Sequence, residues 1–122
     1  MTHAILLIAH GSRRKQANDD LIRLAELVRP RVGPDVKIVE VGFLELTEPS
    51  IPDGFAACVR RGATRVRIVP YFLSMGVHMT GDLEELRQQF ARDYPDVEVN
   101  VRPPLGLDEK VVDLIVQRCT QA

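Results

Sequence analysis

"AILLIAHGSRRK", residues 4–15, begins with six apolar residues and stops at a histidine, a glycine, a serine and three consecutive cations. The run 4–9 is too short for a buried helix and is rich in Ile and Leu, which predicts a strand covered on both faces. His10 then stands where that strand ends. In an open parallel sheet the carboxyl ends of the strands form the crevice where ligands bind, so topology alone places His10 for chemistry.

The rest of the chain supports a parallel sheet. Ala17, Leu21, Leu24, Ala25 and Val28 recur at helical spacing, and Pro30, Gly33 and Pro34 end that first helix. "VKIVEVGF" (36–43) is rich in β-formers and leads into "LELTEPSIP", where Pro49 and Pro52 mark a loop and a helix start. Ile51, Phe55, Ala56 and Val59 form one apolar face, closed by Gly62. "RVRIVPYFL" (65–73) supplies a third strand, which Pro70 ends because it has no N–H to donate to the ladder. Thr80 is a candidate cap for the next helix, with Leu83, Leu86 and Phe90 on one side. "VEVNV" (97–101) alternates as a shorter strand, Pro103 and Pro104 break it, and Asp108 precedes a last helix through Val111, Leu114, Ile115 and Arg118. Strands alternating with helices imply right-handed crossovers and a small doubly wound α/β domain spanning residues 1–122. The expected architecture is a four-stranded parallel sheet of flavodoxin-like order 2-1-3-4, flanked by helices.

Composition narrows the class. The chain has 122 residues, 45% hydrophobic and 27% charged, enough for one self-sufficient core and unlike a disordered protein. The opening apolar run is too short for a membrane span or a signal-peptide core, so a cytoplasmic protein without membrane attachment is expected. A net charge of -1 gives no general reason to bind nucleic acid. Cys58 and Cys119 form no Cys-x-x-Cys pair. Cys58 reads as a small buried apolar residue, and His3, at the rim opposite His10, reads as exposed.

With the order 2-1-3-4, the crevice opens between strands one and three. His10 follows strand one, Glu45 follows strand two and His78 follows strand three, so two imidazoles and a carboxylate share one rim. Neutral imidazole ligates first-row divalent ions, and a carboxylate serves as ligand or proton acceptor. Each residue taken singly also has a plainer reading, a loop histidine bonded to backbone or a solvated glutamate; only their coincidence suggests a metal-handling site.

"AHGSR" after strand one, "FLELTEPSIP" after strand two, "VPYFLSMGVHMTGD" after strand three and "PPLG" after strand four resemble, in that order, the small CbiX/SirB type of sirohydrochlorin chelatase. The resemblance implies a class II chelatase, a lyase that inserts Co2+ or Fe2+ into a tetrapyrrole without ATP, in cobalamin or sirohaem biosynthesis. Consistent with this, the chain has no G-x-x-x-x-G-K-[ST] phosphate loop. The family's metal-handling histidines fall on His10 and His78 and its acidic residue on Glu45. Cobalt is the first expectation for the metal substrate, iron the second and nickel with a related tetrapyrrole a third, with no tightly bound cofactor.

Metal insertion needs partial stripping of the ion's water shell and removal of two pyrrole protons, tasks that suit imidazole and carboxylate. Tyr71, Phe72, Leu73, Met75 and Met79 flank His78; Phe72 and Leu73 are expected in the core, Met75 and Met79 at the pocket lip. Leu44 is expected to line the same pocket. Arg13 and Arg14 can grip the substrate's peripheral carboxylates through paired hydrogen bonds. Gly11 and Ser12 add donors at the amino end of helix one, and Gly76 and Gly81 bracket a His78 loop that admits a planar ligand. Because longer relatives carry two such halves, a homodimer is expected. Two other readings stay open: a phosphocarrier module using His10 alone, which leaves Glu45 and His78 without a role, and a non-catalytic metal-binding domain.

Overall fold

The computed structural model describes residues 1–121. Its elements run β1 (His3–Ala9), α1 (Lys15–Val28), a 3-10 turn (Arg29–Arg31), β2 (Val36–Phe43), α2 (Ile51–Arg60), β3 (Arg65–Pro70), α3 (Val77–Asp93), β4 (Glu98–Val101) and α4 (Glu109–Thr120). All neighbouring strands pair in parallel in the order β2-β1-β3-β4, the order expected from the sequence.

The buried residues divide by face as strand alternation requires. Leu6 and Ile8 of β1, Val66 and Ile68 of β3, and Ile51, Phe55, Leu83 and Phe90 from α2 and α3 fill one side. Leu7, Val39 and Phe43 meet Leu21 and Ala25 of α1 on the other. Phe55 stacks on Phe90 with ring centroids 4.1 Å apart and planes 7° from parallel, so one aromatic contact joins α2 to α3. Ser50 caps α2, its hydroxyl oxygen accepting from the Asp53 amide at 3.1 Å, and Asp108 caps α4 by accepting from the Lys110 amide, as the sequence suggests.

Four local expectations are corrected. His3 is half-buried as the first residue of β1 rather than exposed. Helix α3 begins at Val77 behind Gly76, not at Thr80, whose hydroxyl donates instead to the Gly76 carbonyl at 3.0 Å. The reason lies in periodicity: Met79 sits one turn before Leu83 and packs on the same core, so the apolar face starts ahead of Thr80. Gly81 therefore lies inside α3, and His78 belongs to a helix's first turn rather than to a glycine-bracketed loop. Leu73, placed in the core by sequence, is 68% exposed, because it lies in the rim loop beyond the end of β3, above the core that the helices cover.

Helix α4 forms where periodicity predicts it, but it has no buried residue and lies along no strand. No helix among the described residues is long and apolar enough to cross a membrane.

Cys58 is fully buried, and burial, aided by the negative charge of Glu40 and opposed by Arg61, pushes its thiol up to about 12. Since the thiolate is the reactive form, Cys58 should resist a thiol reagent at pH 8 while the protein is folded and react once it is unfolded. Peptide mapping after labelling with and without guanidinium checks this; labelling of Cys58 in the folded protein would contradict the packing described.

Candidate functional site

Parallel pairing continues past the ends of the strands and builds the rim. The Leu44 amide donates to the Ala9 carbonyl and the Glu45 amide to the His10 carbonyl, both at 3.1 Å, while the Tyr71 amide donates to Ile8 at 2.7 Å and the Leu105 amide to Phe72 at 2.8 Å. The four carboxyl-end loops are thus joined by main-chain bonds. Glycine permits two of the close approaches. A Cβ on Gly11, whose φ is +99°, would fall 1.9 Å from the Glu45 carbonyl oxygen, and one on Gly106 would fall 1.9 Å from that of Leu73, distances no side chain can occupy.

This frame brings His10 and Glu45 together. His10 Nε2 lies 2.8 Å from Glu45 Oε1, with side chains 56% and 57% exposed. Water screens an ion pair this open, which contributes about 0–1 kcal/mol to folding. The contact therefore gives the fold little and leaves both groups free to exchange it for an incoming cation or proton. Chemically, the pair offers one nitrogen ligand beside one anionic oxygen that can ligate or accept a proton.

His78 stands on the same rim but apart from that hydrogen bond, exposed in the first turn of α3. Among the described residues no three His, Cys, Asp or Glu side chains are gathered into a ready-made metal site. The structure thus assembles two of the three expected groups in contact and presents the third from the first turn of the helix that follows β3.

On the other expected site residues, Arg13 and Arg14 are exposed at the start of α1, with Arg14 at the capping position. Neither makes an ion pair among the described residues, whereas Lys15 is held by Asp19 at 2.7 Å. Ser12 is committed to the loop itself: its amide donates to Asn18 Oδ1 at 2.9 Å, its carbonyl accepts from Asn18 Nδ2 at 2.8 Å and its hydroxyl oxygen accepts from the Arg14 amide. Asn18, missed in the sequence reading, clamps the loop that presents His10. Its signal was an amide side chain in the first turn of a helix following a glycine loop, a position from which side-chain bonds to backbone are common.

Leu44, Met75 and Met79 are half-buried against the core, and Gly76 caps α3. The apolar groups facing outward on the rim include Leu46, Tyr71, Leu73, Val77, Leu105 and Leu107. Tyr71, Phe72, Leu73 and Leu105 line a shallow cavity of about 270 Å3. Leu105 and Leu107 were not singled out because the sequence reading takes Pro103 and Pro104 as the end of the fourth strand and gives the residues that follow no pocket role.

Comparison with known proteins points the same way. The CbiX family model matches residues 4–122. The chain is 42% identical over 118 residues to the sirohydrochlorin ferrochelatase of Priestia megaterium, covering 97% of this chain and 44% of that protein. It is 33% identical over 140 residues to the sirohydrochlorin cobaltochelatase of Methanocaldococcus jannaschii, covering 94% and 96% respectively. Its fold matches the crystal structure of the sirohydrochlorin chelatase SirB from Bacillus subtilis subspecies spizizenii in complex with cobalt, with a TM-score of 0.87 at 38% identity, over 98% of this chain and 50% of that one. The chain thus spans about half the length of the ferrochelatases it matches.

Proposed function

Because the chain belongs to the CbiX family, we propose that it inserts a divalent metal ion, Co2+ first and Fe2+ second, into sirohydrochlorin without ATP, acting as a cytoplasmic homodimer with no tightly bound cofactor. The observation that carries this reading is the His10–Glu45 contact of 2.8 Å, held open to solvent by main-chain bonds on the rim that also bears His78 and the apolar wall. Relatives named for iron and for cobalt chelation lend the substrate class.

The chemistry follows from these groups. The substrate ion must shed water before the macrocycle can take it, and His10 and His78, as neutral imidazoles, replace water ligands while leaving other positions open for the pyrrole nitrogens. Insertion of the ion releases two pyrrole protons. Glu45, freed from His10 as the ion binds, accepts one of them and the other passes to solvent water at this open rim. The macrocycle lies against Tyr71, Leu73 and Leu105, and its peripheral carboxylates reach Arg13 and Arg14. A phosphocarrier role would use His10 but leaves its carboxylate partner and His78 idle.

The direct test is anaerobic incubation of the protein with sirohydrochlorin and Co2+, Fe2+ or Ni2+, followed by the absorbance change on metallation, with ATP omitted. Acceleration over the spontaneous rate is expected, largest with cobalt. No acceleration with any of the three ions would refute the reading.

Replacing both Arg13 and Arg14 with Ala should raise KM for sirohydrochlorin several-fold and flatten its dependence on salt, with kcat little changed, because screened charge pairs serve capture rather than chemistry. Titration at low and high ionic strength checks this; an unchanged KM would return the two arginines to the role of a solvated helix start.

A further inference from the structure

Among the described residues, two that are not glycine hold a positive φ, Leu46 at 69° and Leu107 at 60°. Both are leucines, and both stand on the rim, Leu46 in the loop after β2 and Leu107 in the loop after β4. A left-handed backbone sets Cβ against the following carbonyl oxygen, a clash that glycine avoids. Each leucine bears that clash and gains no core packing from it. Leu46 is 55% exposed, Leu107 is fully exposed, and neither belongs to the side chains packed on the core. An exposed leucine needs no explanation by itself. One that also strains its backbone marks a side chain used outside the folded chain, since strain of this kind collects at ligand sites.

The chain is held on both sides of each leucine. The Phe43 amide donates to the Pro49 carbonyl at 2.9 Å and the Glu45 amide to the His10 carbonyl, which closes the loop that carries Leu46. The Leu105 amide bonds Phe72, Gly106 presses on Leu73, and Asp108 caps α4, which fixes the backbone around Leu107. Strand order then puts the two leucines at the ends of one line. From β2 to β4 the sheet crosses three strand spacings, about 14 Å, and the two inner strands lead to His10 and, through α3, to His78. Metal-handling groups therefore lie toward the middle of the rim and strained apolar groups at its ends. Arg13 and Arg14, which make no ion pair among the described residues, precede the helix after β1. A ligand that fits this pattern is flat, apolar across its ring and anionic at its border, with its metal-binding atoms at the centre. That is the chemistry of a carboxylated tetrapyrrole.

Resting on the chelatase reading above, we infer that Leu46 and Leu107 form the two ends of an apolar seat for the ring surface of the tetrapyrrole, centring its nitrogens between His10 and His78. The two side chains touch the macrocycle and not the ion. They set where the ring lies, and the strained backbone is what turns each apolar group toward a ligand instead of the core.

The test places glycine and methionine at both positions and reads three quantities: binding of metal-free sirohydrochlorin by its absorbance, Co2+ affinity by calorimetry, and the thermal midpoint. Leu46→Gly and Leu107→Gly should each weaken sirohydrochlorin binding about 5–30-fold, the loss expected from removing a partly covered leucine. Salt dependence and Co2+ affinity should stay as in the wild type. Their midpoints should equal or exceed that of the wild type, by up to ~4 °C, because the clash is gone. Leu46→Met and Leu107→Met keep the apolar reach and should bind within ~3-fold of wild type. A lower midpoint in either glycine variant would show the leucine packed by its own chain and overturn the inference, as would wild-type binding by either one. So would a parallel loss of Co2+ affinity, which reports displaced loops. A binding defect that disappears when protein concentration is raised about 20-fold reports a contact between copies and would also overturn it. Wild-type protein that binds sirohydrochlorin but inserts no metal would refute the chelatase reading, and weak binding by the glycine variants would still uphold the seat. Wild-type protein that binds none would overturn both.

Discussion

Chelation by His10→Ala should fall by about 10²–10⁴-fold with the thermal midpoint nearly unchanged, since the side chain is more than half exposed and fills no core space. Glu45→Gln should separate the two functions of the pair. It keeps an oxygen near His10 but loses charge and proton affinity, so calorimetry should still detect Co2+ binding while single-turnover insertion slows by a similar ~10²–10⁴. His78→Ala should lose both metal affinity and turnover. Wild-type chelation by His78→Ala would rule out the two-histidine site and leave His10 and Glu45 to act alone; wild-type chelation by His10→Ala would remove the central pair from the mechanism.

Gly11→Ala is expected to be the most damaging single methyl group that can be added to the rim. Its Cβ would lie 1.9 Å from the Glu45 carbonyl oxygen at a φ of +99°, so the loops must separate and a non-glycine residue must hold a left-handed backbone. Together these effects cost about 2–4 kcal/mol, and the Glu45 amide leaves the His10 carbonyl, taking the His10–Glu45 pair apart. Urea unfolding measures the loss, with Gly33→Ala as control because nothing lies within 4 Å of its Cβ position. Equal stabilities for the two variants would mean that the loops are not pressed together.

The strands were legible because each is a short apolar run punctuated by Pro or Gly, and their order followed from alternation with helices. Which rim the candidate groups share was legible for the same reason. That His10 touches Glu45 was not, since the contact depends on a main-chain bond between loops 35 residues apart in sequence and leaves no periodic trace. Leu73 was misjudged because hydrophobicity reports a preference for burial, while a side chain on the rim beyond β3 has no helix packed over it. The detachment of α4 from the sheet was invisible for a related reason: apolar spacing predicts a helix and its apolar face, but not whether a strand lies beneath it. That Met79 packs on the core beside Leu83 was hidden because a helix starting at Thr80 leaves it off that face.

Stitching the four loops through backbone amides separates what holds the rim from what decorates it. Apart from the glycines, whose lack of a side chain is what the frame requires, and from Ser12 and Asn18, which brace the loop after β1, most residues there can change identity without moving their neighbours, because main-chain bonds carry most of the junctions between loops. Such a frame can be retuned from one ion to another by exchanging a few outward groups, leaving its foldability untouched. That relatives named for iron and for cobalt both align over nearly the whole of this chain is the outcome such a division of labour would leave behind: a constant grammar with an editable vocabulary.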